Sequence, residues 1–129
     1  LLNMVKSSLR YGKWWLEQKE MPPKYSSITS VFNFLLDMYR FTGDSAYAEK
    51  ALAYMERTLE LQSINPGVPE VHGGFRGHEC SCSEEEGLYP GDPLNYISLR
   101  TTMYAMMALG KVAAENEDQW NCAYSGFGW

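Results

Sequence analysis

The segment from Ile28 to Phe41 constrains this chain most, because its spacing is helical and nearly its whole circumference is apolar. Its apolar side chains fall on both sides of such a helix, at Ile28, Val31, Phe32, Leu35, Leu36, Tyr39, Phe34, Met38 and Phe41. A helix that is apolar on every side has to be covered by other elements. The sequence therefore predicts a helical protein in which this segment is buried.

Three further segments have helical spacing, and turns or a loop rich in proline or glycine separate them. Residues 2–18 predict an amphipathic helix, residues 45–62 a one-sided helix, and residues 95–115 a second helix that is apolar on most sides. Residues 117–129 carry no pattern that predicts regular structure. The sequence thus predicts an all-α protein with four principal helices, of which the second and fourth are more buried than the third.

The third helix has its apolar residues in one stripe, which we expect to face the core, at Ala48, Leu52, Met55 and Leu59. Its acidic residues lie on the other side, at Glu49, Glu56 and Glu60. Before this helix, Gly43 suits the left-handed position that ends a helix, and Asp44 or Ser45 can cap the next one. Ser26 or Ser27 can cap the second helix in the same way. The short turn at Gly43 favours an antiparallel helical hairpin.

Residues 63–95 form one long loop rich in glycine and proline, and we expect the functional residues there. Both histidines and two of the three cysteines lie in it, together with Glu79, Asp92 and the run Glu84-Glu85-Glu86. The ligand types of zinc are present, but the spacing matches no known zinc motif, and solvated side chains explain this part of the loop better. No cofactor and no metal is therefore predicted.

Composition excludes several partners. The 129 residues carry a net charge of -5, and 11 scattered basic residues offer no stripe for nucleic acid. No apolar run is long enough to span a membrane, so a soluble protein is expected. Three cysteines make no disulfide framework. The chain begins with Leu1 rather than methionine, which suggests a processed or partial chain.

Several motifs make the chain resemble the α/α-toroid families, in which helical hairpins form a ring around a central cleft. These are the turn Phe41-Thr42-Gly43-Asp44-Ser45-Ala46-Tyr47, the helix end Leu61-Gln62, the loop Gly73-Gly74-Phe75 and the helix start Asn95-Tyr96-Ile97-Ser98. The resemblance covers residues 26–115 and implies antiparallel hairpins of α/α-toroid type. Because four helices make only an arc, residues 1–129 are expected to be one helical domain, a segment of a larger toroid. Such an arc would self-associate or dock on the remainder of a parent chain.

The resemblance implies a carbohydrate-active domain of the polysaccharide lyase or glycoside hydrolase type, acting on acidic oligosaccharide. Lyases of uronic acids need a cation beside the carboxylate and a base near the C5 proton, and hydrolases need two carboxylates. The candidate catalytic residues are His72, His78, Tyr96, Glu79 and Asp92. The candidate substrate-binding residues are Arg76, Arg100, Trp120 and Trp129, the tryptophans as platforms for sugar rings.

Purely structural explanations are alternatives to these roles. Arg100 can serve a structural ion pair, and the aromatic tail can be core for a missing neighbour. At the level of the whole chain, a non-catalytic helical-repeat module that binds protein is the main alternative, and a fragment of a terpenoid cyclase or prenyltransferase toroid is the other. The residues leave the compartment open, and a secreted or periplasmic location would accompany the carbohydrate hypothesis.

Overall fold

A computed structural model of the chain describes residues 1–64, 67, 72–76 and 97–125, with side chains up to residue 121. These ranges contain five helices: α1 (Leu2–Glu17), α2 (Tyr25–Thr42), α3 (Ser45–Glu60), α4 (Leu99–Ala113) and α5 (Glu117–Ser125). The described residues hold no strand, only two isolated antiparallel bridges. The prediction of an all-α protein is confirmed.

α2 is the centre of the fold. It packs extensively against both α3 and α4, and α1 makes a smaller contact with α2 and α3. Phe32 and Leu35 in its middle are completely buried. Residues on several of its sides contribute to the core, as a helix apolar nearly all round requires.

The connection between α2 and α3 follows the sequence prediction. Gly43 ends α2 in the left-handed conformation at φ 70°, and its N–H donates to the carbonyl of Tyr39. The Asp44 carboxylate then accepts a hydrogen bond from the N–H of Ala46 at 3.0 Å and caps α3. A turn of two residues forces α3 to run back along α2.

α1 packs through the stripe that its spacing predicts. Gly12 and Trp15 are buried, and Leu9 and Leu16 pack against the core. Gly12 lies so close to Met38 and Tyr47 that a Cβ there would come within 2.7 Å of the methionine methyl and 2.9 Å of the tyrosine hydroxyl. Glycine is needed here for the close approach of α1 to its two neighbours.

Contacts at their two ends show that α2 and α4 run in the same direction. Near the start of both helices, Arg76 lies over the Tyr25 ring of α2 and pairs with Ile97 just before α4. Near their ends, the Lys111 ammonium of α4 lies 2.6 Å from the Asp37 carboxylate of α2. α3 runs opposite to both, because it turns back after Gly43.

Several helix limits differ from the prediction. α2 begins at Tyr25, and its cap residue Lys24 makes no side-chain hydrogen bond, so the expected serine cap is wrong. α4 begins at Leu99 instead of residue 95, and the Ser98 hydroxyl caps it by accepting from Thr101 N. α5 forms where no helix was predicted. Asn116 accounts for its start, since its side chain accepts from the N–H of Gln119.

The predicted core stripe of α3 is wrong by one position. The buried residues are Tyr47, Ala51, Tyr54 and Thr58, whereas Leu52 and Leu59 are 56% and 48% exposed. The tyrosine rings reach across to α1, where Tyr54 meets Trp15 edge to face at 6.5 Å. Burial raises the pKa of both Tyr47 and Tyr54. The acidic residues Glu49, Glu56 and Glu60 are exposed, as predicted.

α4 is not more buried than α3, contrary to the prediction. It buries four residues, as α3 does, and these are Thr101, Ala105, Ala108 and Lys111. Its larger apolar residues Leu99, Met106 and Val112 are 85%, 49% and 47% exposed. Among the described elements, α2 and the short α5 make the contacts that cover this helix.

The register of α3 can be tested by replacing an exposed leucine and a core leucine by alanine in two separate variants. We expect Leu52→Ala to change the free energy of unfolding by no more than about 0.5 kcal/mol, because the side chain is exposed. Leu35→Ala, the matched control in the core, should cost about 2 to 5 kcal/mol. Urea denaturation measures both, and equal losses would contradict the register described here.

Candidate functional site

Three short segments meet where α3 ends and α4 begins. Ser63 and residues 73–74 exchange two backbone hydrogen bonds of 2.8 Å, one from Gly73 N to Ser63 O and one from Ser63 N to Gly74 O. On the other side, Ser98 N donates to the carbonyl of Phe75. Residues 73–76 are therefore held between the end of α3 and the start of α4. Gly74 is needed in this position, since a Cβ would lie 2.5 Å from the Ile97 side chain.

Arg76 is the best-anchored of the predicted site residues. Its backbone N–H donates to Leu61 O, and its Nη2 donates to Glu60 O at 2.6 Å. The side chain thus binds a carbonyl at the carboxyl end of α3, where the helix dipole favours a cation. Its Nε is buried and has no hydrogen-bond partner in the described part of the chain.

Two guanidinium groups lie over the same aromatic ring at this end of the molecule. The Cζ atoms of Arg57 and Arg76 are 5.6 and 6.0 Å from the centroid of the Tyr25 ring. Arg57 also forms a salt bridge of 2.7 Å with Glu60. Lys24 precedes α2, and Arg100 is an exposed residue in the first turn of α4.

We refer to Lys24, Arg57, Arg76 and Arg100 as the cationic end. It includes the amino-terminal ends of α2 and α4, whose backbone N–H groups also favour an anion. Among the described residues, Glu60 is the one acidic side chain that forms a salt bridge with the cationic end. A carboxylate or sulfate group is therefore the ligand chemistry that suits this end.

The described residues include four of the predicted site residues. Arg76 is anchored at the junction of α3 and α4, His72 is exposed four residues before it, and Arg100 is exposed in the first turn of α4. Trp120 does not join them, because it lies on α5 beyond the far end of α4. Arg100 and Lys111, near the two ends of α4, are already roughly 16 Å apart along the helix, and Trp120 lies next to Lys111. His78, Glu79, Asp92, Tyr96 and Trp129 fall outside the described residues.

A second region, which the sequence analysis missed, is an apolar groove between α3 and α4. Its volume is about 340 Å³, and α2 forms its floor. The groove is lined mainly by Phe32, Leu36, Leu52, Met55, Val112 and Trp120. Lys111 and Glu49 are the charged residues in its lining. It exists because α3 exposes the stripe that was expected to face the core.

Lys111 is completely buried and is held by Asp37, whose side chain is 36% exposed. Burial lowers the pKa of the Lys111 ammonium, and the hydrogen bond and charge of Asp37 partly restore it. The Lys111 Nζ also lies 5.6 Å from the centre of the Trp120 ring. Local spacing carries no signal for this pair, because Asp37 and Lys111 lie 74 positions apart in the chain.

Trp120 interacts with cations of its own chain. Arg40 lies 5.2 Å from its ring centre and forms a 2.8 Å salt bridge with Glu117 of α5. These contacts, together with Lys111, fix α5 against the ends of α2 and α4. The ring is half-buried, so only part of it is available to a sugar.

Within the described ranges, no three histidine, cysteine or acidic side chains gather as metal ligands do. Among the same residues, no helix has the length and apolar character to cross a membrane. The chain has no significant match to a protein family, a curated protein or a solved structure.

The lowered pKa of Lys111 predicts how stability depends on pH. Between the lowered pKa and the ordinary value of about 10.5, the unfolded chain binds the proton more fully than the folded chain. Stability of the native protein relative to Lys111→Met should therefore rise as pH increases towards 10.5. The tyrosines are common to both proteins, so their titration cancels.

The measurement is the free energy of unfolding in urea at several pH values for both proteins. Lys19→Met, at an exposed lysine outside the helices, controls for the loss of one positive charge. A native advantage that shrinks with rising pH would contradict the argument.

Proposed function

We propose that the chain is an arc of an α/α toroid from a carbohydrate-active protein, and that its cationic end binds an acidic oligosaccharide. The observation that carries this proposal is the pair of guanidinium groups over one tyrosine ring at the starts of two helices. A uronic acid residue suits this end, because a guanidinium binds a carboxylate through charge-assisted hydrogen bonds. The Tyr25 ring is only 6% exposed and lies beneath the two guanidinium groups, so it supports the cations and does not contact the sugar.

Helix direction supports the toroid. α2 and α4 run together and α3 runs against them. α1 runs with α3, since its neighbours on α3 change from Tyr47 at Gly12 to Tyr54 at Trp15. Two layers of opposite direction, with α2 and α4 in one and α1 and α3 in the other, are expected for stacked helical hairpins. The connections from α1 to α2 and from α3 to α4 are both at the cationic end, where a cleft rim would lie.

The chemistry proposed for this rim is that of a lyase or hydrolase. In a lyase, Arg76 or Arg100 would neutralise the uronic carboxylate, which makes the C5 proton more acidic. His72, His78 or Tyr96 would accept that proton as the C4–C5 double bond forms and the C4–O bond breaks, and one of these residues in its protonated form would donate a proton to the leaving oxygen. In a hydrolase, Glu79 and Asp92 would be the two carboxylates. His72 is exposed four residues before Arg76, which is compatible with this role.

A protein-interaction module is the second candidate. The observation in its favour is the exposed apolar stripe of α3, because a contiguous apolar surface marks a binding face. The two functions occupy different surfaces, so one chain can have both.

Arg100→Ala tests the carbohydrate proposal with little effect on the fold, because Arg100 is exposed. We expect binding of a four-residue oligogalacturonate to weaken by about tenfold, the effect of losing one charge-assisted hydrogen bond of about 1.5 kcal/mol. Titration calorimetry at low salt measures the affinity. A neutral glucan of the same length should show no such loss.

Arg10→Ala on α1 is the matched control, since it removes an exposed arginine outside the cationic end. Arg76→Ala should weaken binding further and also lower stability by about 1 kcal/mol, because its side chain binds Glu60 O. Equal affinity of all four proteins for the acidic oligosaccharide would rule out this site.

A further inference from the structure

The exposed stripe of α3 has the spacing of a helix-packing seam. Ala48, Leu52, Met55 and Leu59, which we call the α3 strip, follow one another at intervals of four, three and four residues. This is the spacing with which one helix receives a second helix. Leu52 and Leu59 are about half exposed, and no described helix of the chain covers them.

The surroundings of the α3 strip are concave and acidic. On one side lies the 340 Å³ groove, whose floor is Phe32 and Leu36 and whose far wall includes Val112. On the other side, exposed glutamates follow the strip along α3, at Glu49, Glu56 and Glu60. A partner that fits this surface is therefore a helix that has apolar side chains along one stripe and basic side chains beside it.

α1 of the same chain has this character on its outer face. Met4, Tyr11 and Trp14, which we call the α1 strip, are 71%, 50% and 47% exposed and are spaced by seven and three residues. This is again the spacing of a helix-packing seam. Its exposed charges are mostly basic, at Lys6, Arg10 and Lys13, with Glu17 as the exception.

The two strips match in length and in charge. α1 and α3 each have 16 residues, or roughly 24 Å of helix. Three basic residues flank the α1 strip and three acidic residues flank the α3 strip. Opposite charges beside an apolar seam set which helices pair.

One copy cannot join its own strips. Within the chain, α1 contacts α3 on the side of Tyr47 and Tyr54, about 100° around the helix from the α3 strip. Tyr11 and Trp14 of the α1 strip lie about 100° around α1 from the buried Gly12 and Trp15. Tyr11 packs on Phe34 of α2, and the exposed half of the strip faces outwards. The two surfaces can meet only between different molecules.

We propose that the α1 strip of one copy docks on the α3 strip and groove of a second copy. The contact is head to tail, because the two surfaces are different. A pair joined in this way still has one free α1 strip and one free α3 strip, so association continues into a chain or closes into a ring.

The two strips can be inactivated separately. Trp14→Glu removes the α1 strip and Leu52→Glu removes the α3 strip, while Leu99→Glu places the same charge on an 85% exposed leucine of α4 outside both. Sedimentation over a concentration series should give a mass above 14.7 kDa for the native chain and for Leu99→Glu. Each of the other two variants alone should stay at 14.7 kDa.

The decisive experiment mixes Trp14→Glu with Leu52→Glu, the two variants that should not associate alone. Trp14→Glu still has an intact α3 strip and Leu52→Glu an intact α1 strip, so an equimolar mixture should form dimers of one copy of each and nothing larger. A contact between identical surfaces would give no such recovery. Circular dichroism checks that both variants are folded. If either variant is unfolded, Lys13→Glu at an exposed position provides a second test, because it should weaken the association of the native chain.

Three results would overturn the proposal. A native chain that remains a monomer at every concentration has no such contact. A mixture that stays monomeric excludes the head-to-tail arrangement. A native monomer whose groove binds the apolar dye anilinonaphthalene sulfonate, with loss of binding in Leu52→Glu, would assign the groove to a small apolar ligand.

Discussion

The fold depends on covering α2. Its core residues Phe32 and Leu35 are wholly buried, and its apolar residues point to several sides, so one neighbour cannot bury them. The helices α3, α4 and α1 each cover one side of α2, and each of them uses only one of its own faces for that contact. The outer faces of those helices carry the remaining apolar surface. The exposed strips on α1 and α3 are thus a consequence of building the protein around one fully apolar helix.

The ion pair between Asp37 and Lys111 fixes how α2 and α4 fit together. A buried ammonium needs a carboxylate, since an unpaired charge in the interior is expensive. Shifting α4 by one turn would move Lys111 by about 5.4 Å and break the 2.6 Å contact. Small buried residues such as Ala105 and Ala108 would accept several registers, so the charge pair selects one of them.

The sequence predicted those features that depend on nearby residues. The burial of α2, the left-handed Gly43 and the Asp44 cap follow from local spacing and turn chemistry, and the structure confirms them. The α3 register could not be predicted in this way, because the aliphatic stripe is more hydrophobic than the tyrosine stripe. Contacts with α1, such as that between Tyr54 and Trp15, decide which stripe is buried. The groove and the Lys111 pair depend on residues 74 positions apart, for which local pattern has no signal.

At the cationic end, sequence analysis named Arg76, His72 and Arg100 as candidates but did not name Tyr25, which begins α2, or Arg57, which lies in the last turn of α3. The backbone of residue 76 pairs with Leu61 and Ile97, and its guanidinium binds the last carbonyl of α3. The side chain is therefore ordered by the fold before any ligand arrives. Since an ordered side chain loses little entropy on binding, the proposed carboxylate ligand would meet a cation already in place. The hydrogen bond between Arg76 and the last carbonyl of α3 would thus also orient the guanidinium for that ligand.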